Sequence, residues 1–307
     1  MDRETHVPVL YHEVIDGLQP RSGGRYIDGT AGLGGHSAGI LDASGPDGQL
    51  LALDVDPEAL DQAGMRLEQF GDRITLARGS YNEMDLHARE LGWGHVDGIL
   101  LDLGLSSYQL EHAERGFSFM REGPLDMRFD PEMPLTAEEI INHWTQQELA
   151  DLLHSLGQER RSRRIASAIA KARPLSTTSQ LADVVVRAVG GRKGRTNPAT
   201  RTFQALRIAV NNELDVLEAA LPRAIRLLSS GGRLAVISFH SLEDHLVKVT
   251  FRREARDCLC PIEQPTCMCG HLASIREISR RVIVPRETEV ERNRRSRSAK
   301  LRIAEKI

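Results

Sequence analysis

The sequence predicts an α/β protein: a parallel sheet with helices on both faces, interrupted once by an all-helical insertion. Three observations predict it. Short apolar strands alternate with helical segments over the first hundred residues. From about 108 to 203 no strand pattern is found. The alternation then resumes and ends in a pair of strands. The expected organisation is therefore 1–107 for the first part of the core, 108–203 for the helical insertion and 204–307 for the second part of the core.

Residues 25–28 form the first strand, followed by a glycine-rich stretch over 29–35 and a short helix over 36–43. The next strand, 49–54, ends in Asp54. Pro57 suits the first position of a helix over 57–70, where its missing N–H would be unbonded anyway. Strands over 74–77 and 96–102 flank a helix over 83–91. These strands are apolar at consecutive positions, the pattern of strands covered on both faces. In the insertion, Ile140, Ile141, Trp144, Leu149, Leu152, Leu153 and Leu156 recur at helical spacing over 137–156. A basic helix follows over 160–172, and Ser176, Thr177 and Thr178 can cap a helix running to Val189. Residues 190–195 read as a basic loop. A helix over about 203–228, bent near Pro222, leads to a strand over 233–238 and a helix over 242–254. Strands near 276–284 and 299–304 close the chain.

The chain has 307 residues, 40% hydrophobic and 27% charged, which suits a sizeable core and excludes disorder over most of its length. No apolar run approaches the ~20 residues of a bilayer span, and the polar N-terminus leads into no apolar segment. The expectation is a cytoplasmic protein without a membrane partner. The net charge of −3 hides a partition. Residues 1–158 carry 10 Lys/Arg against 28 Asp/Glu, whereas 159–207 carry 12 against 2 and 276–307 carry 11 against 5. Two basic blocks on an acidic protein point to a polyanionic partner; a solvated helix face is the plainer reading.

Three strand ends carry the chemistry. Asp28 opens a glycine-rich loop containing Gly32, Gly34 and Gly35, followed by His36 at a helix start. Such a loop lets backbone approach a ligand closely. The third glycine of a dinucleotide fingerprint is missing, since Ser37 stands there, so the loop suits a nucleoside better than a pyrophosphate. Asp54 ends the second strand about twenty residues on, where a carboxylate can accept both hydroxyls of a ribose; Asp56 is its rival, better placed to cap the next helix. Asp102 ends the fourth strand. Three acids on one rim suit a cationic ligand such as a sulfonium; read singly, each can also be a cap.

With these residues in view the chain resembles, end to end, the RsmH (MraW) family of S-adenosylmethionine-dependent rRNA methyltransferases. The matching stretches are HVPVL at 6–10, DGTAGLGGH at 28–36, DLGLSSYQL at 102–110, RGFSF at 115–119 and PLDMR at 124–128. NPATRTFQALR at 197–207, SFHSLED at 238–244 and RSAKLR at 297–302 complete the set. The resemblance implies a Rossmann-like class I methyltransferase core with an inserted helical domain. It implies methylation of the exocyclic N4 amine of a cytidine in the decoding region of 16S rRNA within the small ribosomal subunit. It places cofactor contacts at Gly34, Gly35, His36, Asp54, Asp102 and Gln109, with Tyr81 where a Phe is common in the family. The (D/N/S)-P-P-(Y/F) clamp of many DNA amino-methyltransferases is absent, because Asp102-Leu103-Gly104-Leu105 stands in its place.

Asp102 is the first candidate to hold the target amine, with Ser106, Ser107, His240 and Asp244 behind it. Arg160, Arg161, Arg163 and Arg164, with Arg192, Lys193 and Arg195 in the loop and Arg294, Arg295 and Arg297 in the tail, are the candidate phosphate contacts. Two other readings stand beside this one: a methyltransferase for DNA or free nucleotides, and an assembly factor that binds RNA and cofactor without turnover. Four cysteines, Cys258, Cys260, Cys267 and Cys269, fall in C-x-C pairs, which can hold a structural zinc or remain free thiols. A homodimer is the alternative to a chain that works alone.

Overall fold

A computed structural model describes residues 8–191, 197–261, 264 and 266–307. His6, Val7, Arg192, Lys193 and Arg195 therefore lie outside the described residues. The chain divides into two compact units. One runs to Gly104 and resumes at Leu214; the other is Leu105–Glu213.

The first unit opens with α1 (Tyr11–Leu18), a short helix that the sequence reading passed over. There follow β1 (Arg25–Asp28), α2 (Gly35–Ala43), β2 (Gln49–Asp54), α3 (Pro57–Leu67), β3 (Ile74–Arg78), α4 (Met84–Glu90) and β4 (Val96–Asp102). Asp56 caps α3 through the amide of Glu58, and Pro57 stands beside it at the first helical turn. The expected helix to residue 70 is shorter, because a tight turn with Gly71 at φ 54 follows Leu67.

The second unit holds α5 (Ser107–Glu111), α6 (Ala137–His143), α7 (Gln146–Ser155), α8 (Ser162–Ala172), α9 (Thr178–Ala188) and α10 (Thr200–Val210). The helical pattern over 137–156 breaks in two at Thr145, whose side chain starts α7 through a reciprocal cap with Glu148. Thr177 starts α9 the same way with Gln180. Leu149, Leu153, Ile165, Ile169, Leu181, Val185 and Leu206 form its buried core. The single helix expected over 203–228 is two: α10 ends where Asn212 adopts φ 50, and α11 (Glu213–Leu227) begins beside it. Pro222 stands inside α11.

Returning to the first unit, the chain adds β5 (Leu228–Ser238), α12 (Ser241–Glu254), β6 (Ile275–Glu277), α13 (Glu287–Arg292) and β7 (Lys300–Lys306). The strand expected near 276–284 shrinks to β6, with Ile283 keeping one isolated bridge to Leu301. The sheet order is β3-β2-β1-β4-β5-β7-β6. The first five strands are parallel, and β7 runs antiparallel to β5 and β6. Side chains alternate between its faces. Tyr26, Leu50, Ala52, Leu100, Ala235 and Ile237 join one core with residues of α1 and α2. Ile27, Leu51, Leu53, Ile99, Leu101, Leu234 and Val236 join the other with α4, α11 and α12. Among the described residues, no helix is long and apolar enough to cross a membrane.

Candidate active site

The site is built where the sheet changes direction. Successive crossovers run from β1 out to β3, and then return to lay β4 and β5 on the other side of β1. Ligands bind at such a switch point, beyond the carboxyl ends of the strands. Asp28 is in register with Ala52 of β2 and Leu100 of β4. Asp54 and Asp102 each lie two residues further on, so they flank β1 at matching heights. With strands spaced ~4.8 Å apart, their backbones stand about 10 Å from one another.

The glycine loop lies between these two acids and is fastened to both neighbouring strands. Gly29 donates its N–H to Leu100 O at 2.9 Å, and Ala31 donates to Leu53 O at 2.8 Å. Gly32 N–H donates to Asp54 Oδ2 at 2.8 Å. A Cβ at Gly29 would sit 2.6 Å from Leu101 Cδ2 and 2.8 Å from Tyr81 Cβ, so only glycine allows this approach. Gly34 has φ 74 where the chain turns into α2, a conformation that glycine adopts without strain.

Each acid has a distinct environment. Asp28 is buried and fully engaged: Oδ1 accepts from Thr30 N at 3.1 Å, and Oδ2 accepts from Ser37 Oγ at 2.7 Å. It acts as a brace for the loop. Asp54 accepts from Gly32 N–H and, through Oδ1, from Asp56 N–H at 3.0 Å. Burial nevertheless pushes its pKa up to about 6. Asp102 is pushed well above the usual carboxylate range, first by burial and then by the charges of Asp28 and Glu243. Its Oδ1 is buried and, among the described residues, has no hydrogen-bond partner. A buried acceptor left unmade costs ~1–3 kcal/mol, so this oxygen is poised for a donor.

His36 lies 3.6 Å from Asp102 Oδ2 through Nε2. It is buried, and its ring lies near-parallel to Tyr11, 6.2 Å away between centroids. Burial lowers its pKa to about 4, and Arg66 pushes the same way. His36 is therefore neutral near pH 7.

Gly34, Gly35, His36, Asp54 and Asp102 thus gather at one rim, and Tyr81 follows β3 with its Cβ against the Gly29 turn. Gln109 belongs to the second unit. There it is buried, and its Oε1 accepts from Ser106 N–H while its own N–H donates to Ser106 Oγ, both at 3.1 Å. Ser106 is correspondingly the cap of α5. The backbone of Ser107 starts that helix; nothing is described of its side chain. His240 caps α12, its Nδ1 accepting from Glu243 N–H at 3.3 Å. Asp244 accepts from Lys300 Nζ at 3.0 Å and from Arg302 Nε at 2.8 Å, which ties α12 to β7. The cysteines lie apart from the rim, between α12 and β6.

One residue escaped the sequence reading. Glu243 is 2% exposed, accepts from Phe239 N–H at 2.7 Å, and raises Asp102 by its charge. The signal for it was the spacing His240-x-x-Glu243 directly after a strand, which is a reciprocal helix cap.

This strand order, with its antiparallel β7, and the glycine loop at the end of β1 define a class I methyltransferase. Comparison with known proteins narrows the class. The model of the MraW methylase family matches residues 3–307. "Ribosomal RNA small subunit methyltransferase H" of Dehalococcoides mccartyi (strain BAV1) is 54% identical over 302 residues, covering 98% of this chain and 86% of the relative. The protein of the same description from Geobacter sulfurreducens is 50% identical over 308 residues, covering 99% of each. A solved rRNA methylase from Streptococcus thermophilus covers 97% of this chain and 93% of its own at 12% identity, with a TM-score of 0.42. The chain belongs to the MraW methylase family.

Proposed function

We propose that this protein transfers the methyl group of S-adenosylmethionine to the exocyclic N4 amine of a cytidine in the decoding region of 16S rRNA. The description shared by its relatives supports rRNA of the small subunit as the substrate. The observation that carries the chemistry is Asp102: a buried carboxylate oxygen without a donor, beside a glycine loop at the sheet's switch point.

The rim fits the cofactor's functional groups. Asp54 is the acceptor for ribose hydroxyls, and its hydrogen bond to Gly32 couples ribose binding to the loop. Gly34 and Gly35 offer close backbone, and neutral His36 stands 3.6 Å from Asp102 without competing as a cation. Tyr81 supplies a ring for the adenine side, and Gln109 is assigned to the cofactor by resemblance. When bound, S-adenosylmethionine supplies an electrophilic methyl group on a positive sulfonium. Asp102 Oδ1 accepts an N–H of the cytosine amine and so turns its lone pair out of conjugation with the ring. The raised pKa of Asp102 suits it to take the proton that the amine must lose. Positioning of this kind can supply ~7–11 kcal/mol of the barrier.

The RNA is held by the basic blocks. Arg160, Arg163 and Arg164 are exposed at the start of α8, opposite the buried Ile165 and Ile169. Arg161 differs, because its guanidinium donates to Val189 O at 2.7 Å at the end of α9. Arg294, Arg295 and Arg297 are exposed in the tail. The cytidine must be unstacked to reach the rim, at a cost of a few kcal/mol.

The test uses methyl-labelled S-adenosylmethionine with unmodified small ribosomal subunits, naked rRNA and DNA in parallel, followed by nucleoside analysis. N4-methylcytidine from the subunits is the expected product, and none is expected with Asp102→Ala. A label on another atom, or full activity in Asp102→Ala, overturns the assignment.

A further inference from the structure

We infer that Cys258, Cys260, Cys267 and Cys269 form a tetrathiolate zinc site that clasps the connection between α12 and β6. The four sulfurs lie within 4.8 Å of one another. Cys258 Sγ is 3.4 Å from Cys267 Sγ and 3.8 Å from Cys269 Sγ, and Cys267 and Cys269 are 3.6 Å apart. Zinc holds thiolates at ~2.3 Å in a tetrahedron, whose edges are then about 3.8 Å. The cluster has that size. The four cysteines form no disulfide with one another.

The backbone is arranged for thiolates as well. Leu259, in the middle of the first C-x-C pair, donates its N–H to Cys269 Sγ at 3.3 Å. Met268, in the middle of the second pair, donates its N–H to Cys260 Sγ at 3.4 Å. Cys260 N–H donates to Cys258 Sγ at 3.4 Å. Amide donors aimed at sulfur favour the charged form, which is the form that binds metal. Each pair thus braces a sulfur of the other. The side chains of Leu259 and Met268 stay exposed.

The connection needs such a clasp. It runs over 255–274, and among its described residues none lies in a helix or strand and none is buried. Ordered connections longer than ~12–15 residues are uncommon without a device to hold them. Its ends are tied by Ser274 N–H to Glu254 O at 2.8 Å and by Ser274 Oγ to Glu254 Oε2 at 3.0 Å. Between those ties the described residues form no apolar core. Binding converts four thiols to four thiolates with release of their protons and no change of oxidation state. The soft sulfur set selects zinc over hard cations.

The experiment uses untagged, full-length protein purified under reducing, anaerobic conditions. Elemental analysis should find about one zinc per chain, released by a mercurial reagent as the four thiols react. Cobalt substitution should give the intense visible bands of a tetrahedral tetrathiolate. Cys258→Ser and Cys269→Ser should lose the zinc yet keep the affinity for S-adenosylhomocysteine, which tests the site separately from the methyl-transfer reading. Chelation should speed proteolytic cleavage within 255–274 on the order of tenfold, by releasing a locally stabilised segment. Protein without metal, with its thiols free or paired as disulfides, overturns the site. Iron in place of zinc overturns the choice of metal. If the serine variants fail to fold, the zinc content and cobalt spectrum of the native protein still decide.

Discussion

Lowering the pH from 7 to 5 should weaken the binding of S-adenosylhomocysteine, and Asp54 sets the size of the effect. Burial holds this carboxyl at about 6, roughly two units above its ordinary value. That rise corresponds to about 3 kcal/mol in favour of the neutral acid. A ribose diol donates two hydrogen bonds, so it selects the ionised form. In the free protein about nine-tenths of Asp54 is ionised at pH 7 and about one-tenth at pH 5. The apparent Kd should therefore rise about tenfold across that interval, and binding at pH 6 should release about half a proton per ligand. Calorimetry in two buffers of different ionisation enthalpy reads both quantities. Asp54→Asn keeps the shape of the side chain and removes the titrating group. The difference in slope between the two proteins isolates Asp54 from Asp102. An affinity that stays within twofold from pH 7 to 5, or a slope that Asp54→Asn leaves intact, would refute the assignment of Asp54 to the ribose.

Two further changes probe the same rim. His36 is held at about 4, below its ordinary 6.5, so it contributes stability above pH 6.5 that is lost as the pH falls toward 4. Asp54 works the other way: its raised pKa contributes stability below about pH 4 that is lost as the pH rises through about 6. Each amounts to about 3 kcal/mol, and the two offset. His36→Asn should expose the Asp54 component, so that urea midpoints fall as the pH rises from 4 to 6; midpoints that rise instead would reverse the argument. Gly29→Ala places a methyl group 2.6 Å from Leu101 Cδ2 and 2.8 Å from Tyr81 Cβ. Overpacking of this kind costs ~1–3 kcal/mol, so a lowered Tm with weakened S-adenosylhomocysteine binding is expected, and an unchanged melt would show that the loop has room.

Much of the fold was legible because burial on both faces writes long apolar runs. β1, β2 and β4 occupy the residues the sequence predicts, and β3 runs one residue longer. What it concealed was governed by local conformation. The break between α10 and α11 hangs on Asn212 at φ 50, and the apolar periodicity runs on through it. α1 has only eight residues, too few for a periodic signal. At the rim, strand ends exposed the three acids, but their differences came from packing. Asp28 is spent on Thr30 and Ser37, which the spacing alone does not reveal. Asp244, one residue from the hidden Glu243, turned toward β7 because Lys300 and Arg302 arrive from the far end of the chain.

The order of the strands also bears on how the chain can be made. β4 is a central strand, yet its neighbour β5 is separated from it by the whole second unit. On a ribosome, β3, β2, β1 and β4 emerge first, and the apolar edge of β4 stays unpaired until Leu228 and its successors follow. An unpaired apolar edge is a template for association with other chains. In that interval α5 to α10 already have their complete core in hand. The nascent protein thus carries a finished helical body beside a half-built sheet. A chain released early would be an aggregation hazard, and not merely an inactive fragment.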